Sequence, residues 1–267
     1  MLHLILRTEY QDWEQLEKAI AGIPSEVERG DIFEQFVYFY LLYHRDYYQI
    51  RELFSPKLPG CDIPVELKKK LKLERKDHGV DGVYVAINGT ITAYQAKFRT
   101  GTFSLSSGEL DSFWAEAEYA DYRCTIATVF KLPSVADKKK HHLAILRDRF
   151  ENLSQDFFVA LRGFAVRDLA PHIRKYEPRP YQREMLEGIV KGFQTTDRGK
   201  LIAACGTGKT LVSLWVSEEL GTQNVLFIAP SLILIRQTLN EWVKHRREGF
   251  SYLCVCSDQT IARNVEN

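Results

Sequence analysis

Apolar positions along the chain follow two different rhythms, and the change between them outlines the elements. Over DWEQLEKAIAGI they recur at helical spacing, and IPSEVERG interrupts that first helix. DIFEQFVYFYLLYH then predicts a helix apolar nearly all round, the pattern of a helix buried on every side. Residues 45–76 are mixed and basic, with SPKLPG as a loop. Beyond them the rhythm becomes alternation: Val83, Val85 and Ile87 against Tyr84 and Ala86. Asn88-Gly89 is a two-residue hairpin signal, and TITAYQAKF is the return strand. SSGELDSFWAEAEYA predicts a capped helix, with Ser107 as N-cap and Glu109 and Asp111 in its first turn. CTIATVF predicts a further strand, a basic helix follows, and DFFVALRGF is a candidate last strand.

The proline-bearing, charged stretch APHIRKYEPRPYQ marks a linker. After it the pattern alternates cleanly: helix YQREMLEGIVKGF, strand GKLIAAC, loop GTGKT, helix LVSLWVSEEL, strand NVLFIAP, helix LILIRQTLNEWVKHRR and strand FSYLCVC. Such alternation predicts two α/β regions, the second with a parallel sheet. The boundaries expected are 1–165 for the first domain, 166–179 for the linker and 180–267 for the second.

Composition adds limits. The 267 residues are 45% hydrophobic and 27% charged with a formal net charge of +1, so any affinity for nucleic acid must come from local patches. Lys68–Lys76 and Lys138–His142 are the candidates. Five cysteines without metal-ligand spacing suit a reducing compartment, and no apolar run is long enough for a membrane span. The expectation is a cytoplasmic protein.

AACGTGKT, set between an apolar run and a helix, has the context of a phosphate-binding loop. Gly206, Thr207 and Gly208 would turn backbone N–H groups toward a phosphate chain. Lys209 would reach the β- and γ-phosphates, and the Thr210 hydroxyl would ligate Mg²⁺. RPYQREML resembles the adenine-binding Q-motif region of superfamily 2 helicases and translocases, AACGTGKT their motif I and VLFIAPSLILIRQ their motif Ia. That resemblance implies a RecA-like fold and ATP as cofactor. It gives Gln182 a hydrogen bond to the adenine edge, Arg179 or Tyr176 a place against the base, and Pro230, Ser231 and Arg236 a place near the nucleic-acid track. The acidic Mg²⁺-holding segment and the second lobe with its arginine finger do not follow within these residues. Weak nucleotide binding without turnover is therefore expected of this chain, and a DNA-stimulated ATPase assay checks it.

Lys97 poses a separate problem, because an ammonium on an apolar strand is costly unless a charge lies beside it. Gln95 and Lys97, two apart, share one strand face. Counting outward from Asn88-Gly89 sets Asp81 close to opposite Gln95. Glu34, on the buried helix, is a fourth polar group in want of a partner. Asp81 and Glu34 could supply carboxylate oxygens to Mg²⁺ and Gln95 an amide oxygen, with Lys97 acting on the attacking water or the phosphate. Alternatively, Lys97 pairs with Asp81 or Glu34 in a buried salt bridge, and spacing does not separate the two.

GVDGVYV…AYQAKF resembles the PD-(D/E)XK nuclease signature in its Mrr-like form, in which glutamine replaces the second acid. GDIFEQFVYFYLL resembles the glutamate-bearing helix of that family, and ELDSFW the helix after the catalytic strand. An Mrr-like nuclease ahead of a superfamily 2 motor resembles the N-terminal part of ATP-dependent restriction enzymes of the Type ISP and Type I-like kinds. This implies a restriction-endonuclease-like mixed sheet flanked by helices, followed by a partial RecA-like α/β domain. It also implies Asp81, Gln95, Lys97 and Glu34 as catalytic residues acting on double-stranded DNA with Mg²⁺, with methyltransferase and target-recognition segments as partners. Asp77 is either a further ligand or a turn residue, and His78 either handles water or has no role. The competing functions are a nuclease-like DNA-binding module serving a helicase, and an RNA helicase.

Overall fold

The computed structural model describes residues 2–73, 79–101, 104–167, 175–247, 249–250 and 252–255. It divides into two compact units at residues 172/173. The helices are α1 (Trp13–Ala21), α2 (Glu26–Tyr43), α3 (Val65–Leu71), α4 (Gly108–Glu116), α5 (Ser134–Asp137), α6 (Arg147–Glu151), α7 (Gln155–Arg167), α8 (Pro180–Phe193), α9 (Lys209–Glu219) and α10 (Leu232–His245). The strands are β1 (Ile50–Phe54), β2 (Gly82–Ala86), β3 (Ile91–Lys97), β4 (Tyr122–Ala127) and β5 (His142–Ile145).

In the first unit the strands form a mixed sheet in the order β1-β2-β3-β4-β5. The pairs β1/β2 and β2/β3 are antiparallel, while β3/β4 and β4/β5 are parallel. Strand β2 is buried on both faces at Val83, Tyr84 and Val85, as suits a sheet covered by helices on each side. One face packs Val83, Val85, Ile91 and Ala93 against Leu110, Phe113 and Trp114 of α4. The other meets α2, whose Phe33 ring lies 5.6 Å from that of Phe98. Behind it an aromatic core joins Trp13, Phe36 and Phe150, with ring centroids 5.0–5.5 Å apart.

Helix α2 begins earlier than its apolar run. Ser25 accepts the Glu28 N–H at 3.2 Å, so the break after α1 is confined to the few residues before that cap. At the hairpin, Ala86 N–H donates to Thr90 O and Gly89 N–H to Ala86 O, with φ +89° at Gly89. This is a three-residue loop, not the two-residue turn expected, because such a turn of type I′ needs positive φ at both central residues and Asn88 does not adopt it. Ser107 does not cap α4. It is already helical, at φ −61° and ψ −42°, and Ser106 instead bonds Glu109 Oε2 through its N–H and hydroxyl, both at 2.8 Å.

DFFVALRGF is helix, not strand: it lies within α7. Phe157, Phe158, Leu161 and Ala165 are buried, a helical recurrence within a run whose apolar density had read as β. The last strand is β5, which falls with α5 and α6 in the region read as one basic helix, and β1 and α3 occupy the stretch read as mixed and basic.

The second unit packs Leu186 of α8 with Val212 and Trp215 of α9, and Trp242 Nε1 of α10 donates to Thr210 O at 2.9 Å. Among the described residues, none of the runs GKLIAAC, NVLFIAP and FSYLCVC is a strand, contrary to the periodicity. Their apolar side chains are largely exposed, among them Ile202, Leu226, Ile228 and Val255. An apolar run becomes a strand only by exchanging N–H and C=O bonds with a neighbour, and among the described residues these runs join no sheet. Helix and phosphate loop need no such partner, and both are formed.

Candidate active site

Glycine, tyrosine and aspartate build the start of the site. The β2/β3 register pairs Gly82 with Tyr94 and Val83 with Ala93, and one step further sets Asp81 opposite Gln95. Asp81 N–H donates to Tyr94 O at 2.9 Å, and its Oδ2 accepts the Ala96 N–H at 2.7 Å. The carboxylate thereby closes the end of the ladder. Gly82 is required by a close approach: a Cβ there would lie 2.2 Å from Tyr94 Cζ and 2.5 Å from Phe54 O. Tyr94 crosses this gap, and its hydroxyl donates to Phe54 O at 3.2 Å.

Gln95 is 2% exposed, and its Oε1 has no hydrogen-bond partner among the described residues. Lys97 follows on the same face and is partly exposed. It forms no ion pair among the described residues, while Asp81 and Glu34 are each otherwise engaged. Glu34 is half-buried on α2, with Oε2 shielded from solvent. Burial raises the Tyr94 phenol well above its ordinary pKa; a Ser55 hydrogen bond opposes this, and the charges of Asp81 and Glu34 add to it. The two carboxylates thus share one neighbourhood with Tyr94. Asp77 and His78 lie outside the described residues.

Sequence reasoning missed two contacts beside the candidate site. Lys57, in the loop after β1, sets its Nζ 2.7 Å from Asp31 Oδ1. The Asp31 hydrogen bond raises its pKa, burial opposes, and the Glu34 and Asp81 charges add. Arg99, two residues past Lys97, is fastened to Glu109 of α4 at 2.7 Å and fixes the strand exit. Neither contact carries a local sequence signal, because each joins segments distant in the chain.

A hard cation such as Mg²⁺ takes oxygen ligands. Two carboxylates and an amide oxygen supply that chemistry, and a buried, unpartnered Oε1 at Gln95 is the feature that fits it. No group of three His, Cys, Asp or Glu residues able to hold a metal occurs among the described residues, so such a site depends on the glutamine.

In the second unit Gly208 is the N-cap of α9, and both Gly206 and Gly208 have φ +79°, a left-handed conformation natural to glycine. Lys209 Nζ donates to Ala203 O and Ala204 O at 3.1 and 2.7 Å. Gln182 is 5% exposed; its Oε1 accepts the Arg179 N–H and its Nε2 donates to Thr207 O, each at 2.9 Å. That amide has one further N–H to donate. A Cβ on Gly208 would come within 2.5 Å of Gln182 Nε2, so the glycine also admits the glutamine. Arg179 is exposed at the start of α8. Tyr176 stacks on His245 at 4.2 Å, which covers one ring face. Ser231 is a helix cap, its hydroxyl accepting the Leu234 N–H.

Fold and site define a class: a restriction-endonuclease-like α/β unit, followed by a P-loop unit of helicase character. Residues 63–156 match the family described as "Restriction endonuclease", and residues 175–262 the "Type III restriction enzyme, res subunit" family. Residues 63–156 are thus similar to restriction endonucleases, and residues 175–262 to a helicase-like restriction subunit. Among solved structures it is similar to the ATP-dependent Type ISP restriction-modification enzyme LlaBIII bound to DNA, with a TM-score of 0.65 at 23% identity over 91% of this chain and 15% of that one. The probable helicase A859L of African swine fever virus, isolate Tick/Malawi, is 29% identical over 51% of this chain, and that of isolate Tick/South Africa/Pretoriuskop is 34% identical over 34%. The chain spans 15% and 11% of the length of these two relatives.

Among the described residues no helix is long and apolar enough to cross a membrane.

Proposed function

We propose that residues 1–165 are a Mg²⁺-dependent DNA endonuclease domain. Residues 166–179 link it to residues 180–267, the N-terminal part of an ATP-dependent DNA translocase in a cytoplasmic restriction or phage-defence enzyme. The observation that carries the reading is the buried, unpartnered Gln95 Oε1 opposite Asp81 and two residues before Lys97. Asp81, Glu34 and Gln95 would hold Mg²⁺, which when bound would lower the pKa of water and offset charge growing on phosphate. Ala96 N–H orients the Asp81 carboxylate through its 2.7 Å bond. Lys97, partly exposed, offers an ammonium to the attacking water or the phosphate oxygens. Phe33 and Phe98 pack α2 against the end of β3, with ring centroids 5.6 Å apart.

Double-stranded DNA is the substrate in this reading; methyltransferase and target-recognition parts are its partners. The test is nicking of supercoiled and linear DNA by the purified chain with Mg²⁺, with EDTA and RNA controls. Cleavage that needs the metal and spares RNA supports it. Absence of cleavage of every DNA form instead favours a nuclease-like DNA-binding module serving a helicase.

For the second unit, Gly206, Thr207, Gly208, Lys209 and Thr210 would receive the ATP phosphates and their Mg²⁺. Gln182 and Arg179 would lie on the base side. Binding must exchange the two carbonyl bonds of Lys209 for phosphate contacts. Lys209→Ala is expected to weaken binding of a fluorescent ATP analogue by at least about tenfold, a loss of one charged hydrogen-bonding group. Fluorescence anisotropy measures it.

A further inference from the structure

The loop after β1 holds a cation that the nuclease scheme above does not use. Its ends close on each other: Ser55 N–H donates to Cys61 O at 2.7 Å, Leu58 N–H to Ser55 O at 3.1 Å, and Cys61 N–H to Leu58 O at 3.0 Å. Ser55 and Leu58 are buried at 1% and 6% exposure, so the loop is anchored at two points. Lys57 is therefore presented from a fixed position, and Asp31 holds its ammonium at 2.7 Å. Asp31 lies one helical turn before Glu34 on α2, on the same side.

Stability does not account for this pair. Side chains 47% and 41% exposed gain at most about 1 kcal/mol from such a contact. Charge does account for it. Asp31, Glu34 and Asp81 all lie in the field of the ammonium, whose charge offsets their repulsion of a phosphodiester. An ammonium has three N–H donors, and Asp31 takes one. The side chain is 47% exposed, so the other N–H groups are open to an arriving partner, which must be anionic to gain from them.

We propose that Lys57 is a phosphate-positioning residue of the nuclease site, its ammonium aimed by Asp31 to bind the DNA backbone beside the scissile bond. The proposal rests on the nuclease reading of Asp81, Gln95, Lys97 and Glu34. It assigns Lys57 no proton transfer.

The test measures binding without cleavage. The full 267-residue chain is titrated with a short DNA duplex of arbitrary sequence in Ca²⁺, over a range of NaCl concentrations. Lys57→Gln is expected to bind about fivefold more weakly, with the slope of log K against log salt reduced by about one phosphate contact, while Lys57→Arg recovers both. A thermal melt of each variant shows that the loop change leaves the fold in place. An unchanged slope for Lys57→Gln overturns the proposal, even where affinity falls, because a merely structural loss does not remove a counterion. Absence of duplex binding by the unsubstituted chain overturns it too. If the chain binds DNA but does not nick it with Mg²⁺, the endonuclease reading fails, and the salt slope of Lys57→Gln still decides whether this lysine holds phosphate.

Discussion

Asp81→Asn and Lys97→Ala are each expected to reduce Mg²⁺-dependent DNA cleavage by about a hundredfold to a thousandfold, the size of effect seen when one group serving developing charge is removed. Duplex affinity in Ca²⁺ should stay within about fivefold, because neither change removes more than one phosphate contact. Asparagine is the informative replacement at Asp81. Its amide oxygen still accepts the Ala96 N–H that the carboxylate now accepts at 2.7 Å. Alanine would leave that N–H unsatisfied and add about 1–3 kcal/mol of destabilisation, confusing fold with chemistry. The double variant should be little worse than either single one, since residues that act as a unit are not additive. Plasmid nicking with filter binding on the same preparations checks both halves. Retained cleavage in Asp81→Asn would remove the aspartate from the site.

Phe36→Ala is expected to lower the stability of the first unit by about 3–5 kcal/mol, the range for deleting a buried phenyl ring. Phe36 is 0% exposed and meets Trp13, Phe150 and Phe157 at 5.1, 5.5 and 5.8 Å, so the cavity would open between α1, α2, α6 and α7 at once. Residues of the proposed site share that helix, with Asp31 and Glu34 within two turns of Phe36, so cleavage should fall along with stability. Val27→Ala, on the same helix but 74% exposed, should stay within about 0.5 kcal/mol. Chemical denaturation followed by Trp fluorescence separates the two, and equal midpoints would contradict the aromatic core described.

Much of the first unit was legible because its signals are local. Alternation over residues 83–87 and the Asn-Gly pair located the hairpin, and strand parity put Gln95 and Lys97 on one face. The details of the turn were not legible: Asn88 keeps a negative φ, so the loop has three residues. DFFVALRGF misled for a related reason, since a dense apolar run satisfies a strand and a buried helix equally. Arg99–Glu109 left no trace in any window, being a contact between segments.

Periodicity of two or 3.6 residues is a property of the backbone. The chain alone therefore disclosed the buried helix of Glu34, the hairpin of Asp81 and Gln95, and the glycines that start α9. Where a strand finds its partner, and which distant side chains converge, depends on packing between elements. That is why the apolar runs of the second unit read as strands yet join no sheet among the described residues. It is also why Lys57, one lysine in an unremarkable loop, was seen beside Asp31 and in the field of Glu34 and Asp81 when α2, β1 and β2 were brought together.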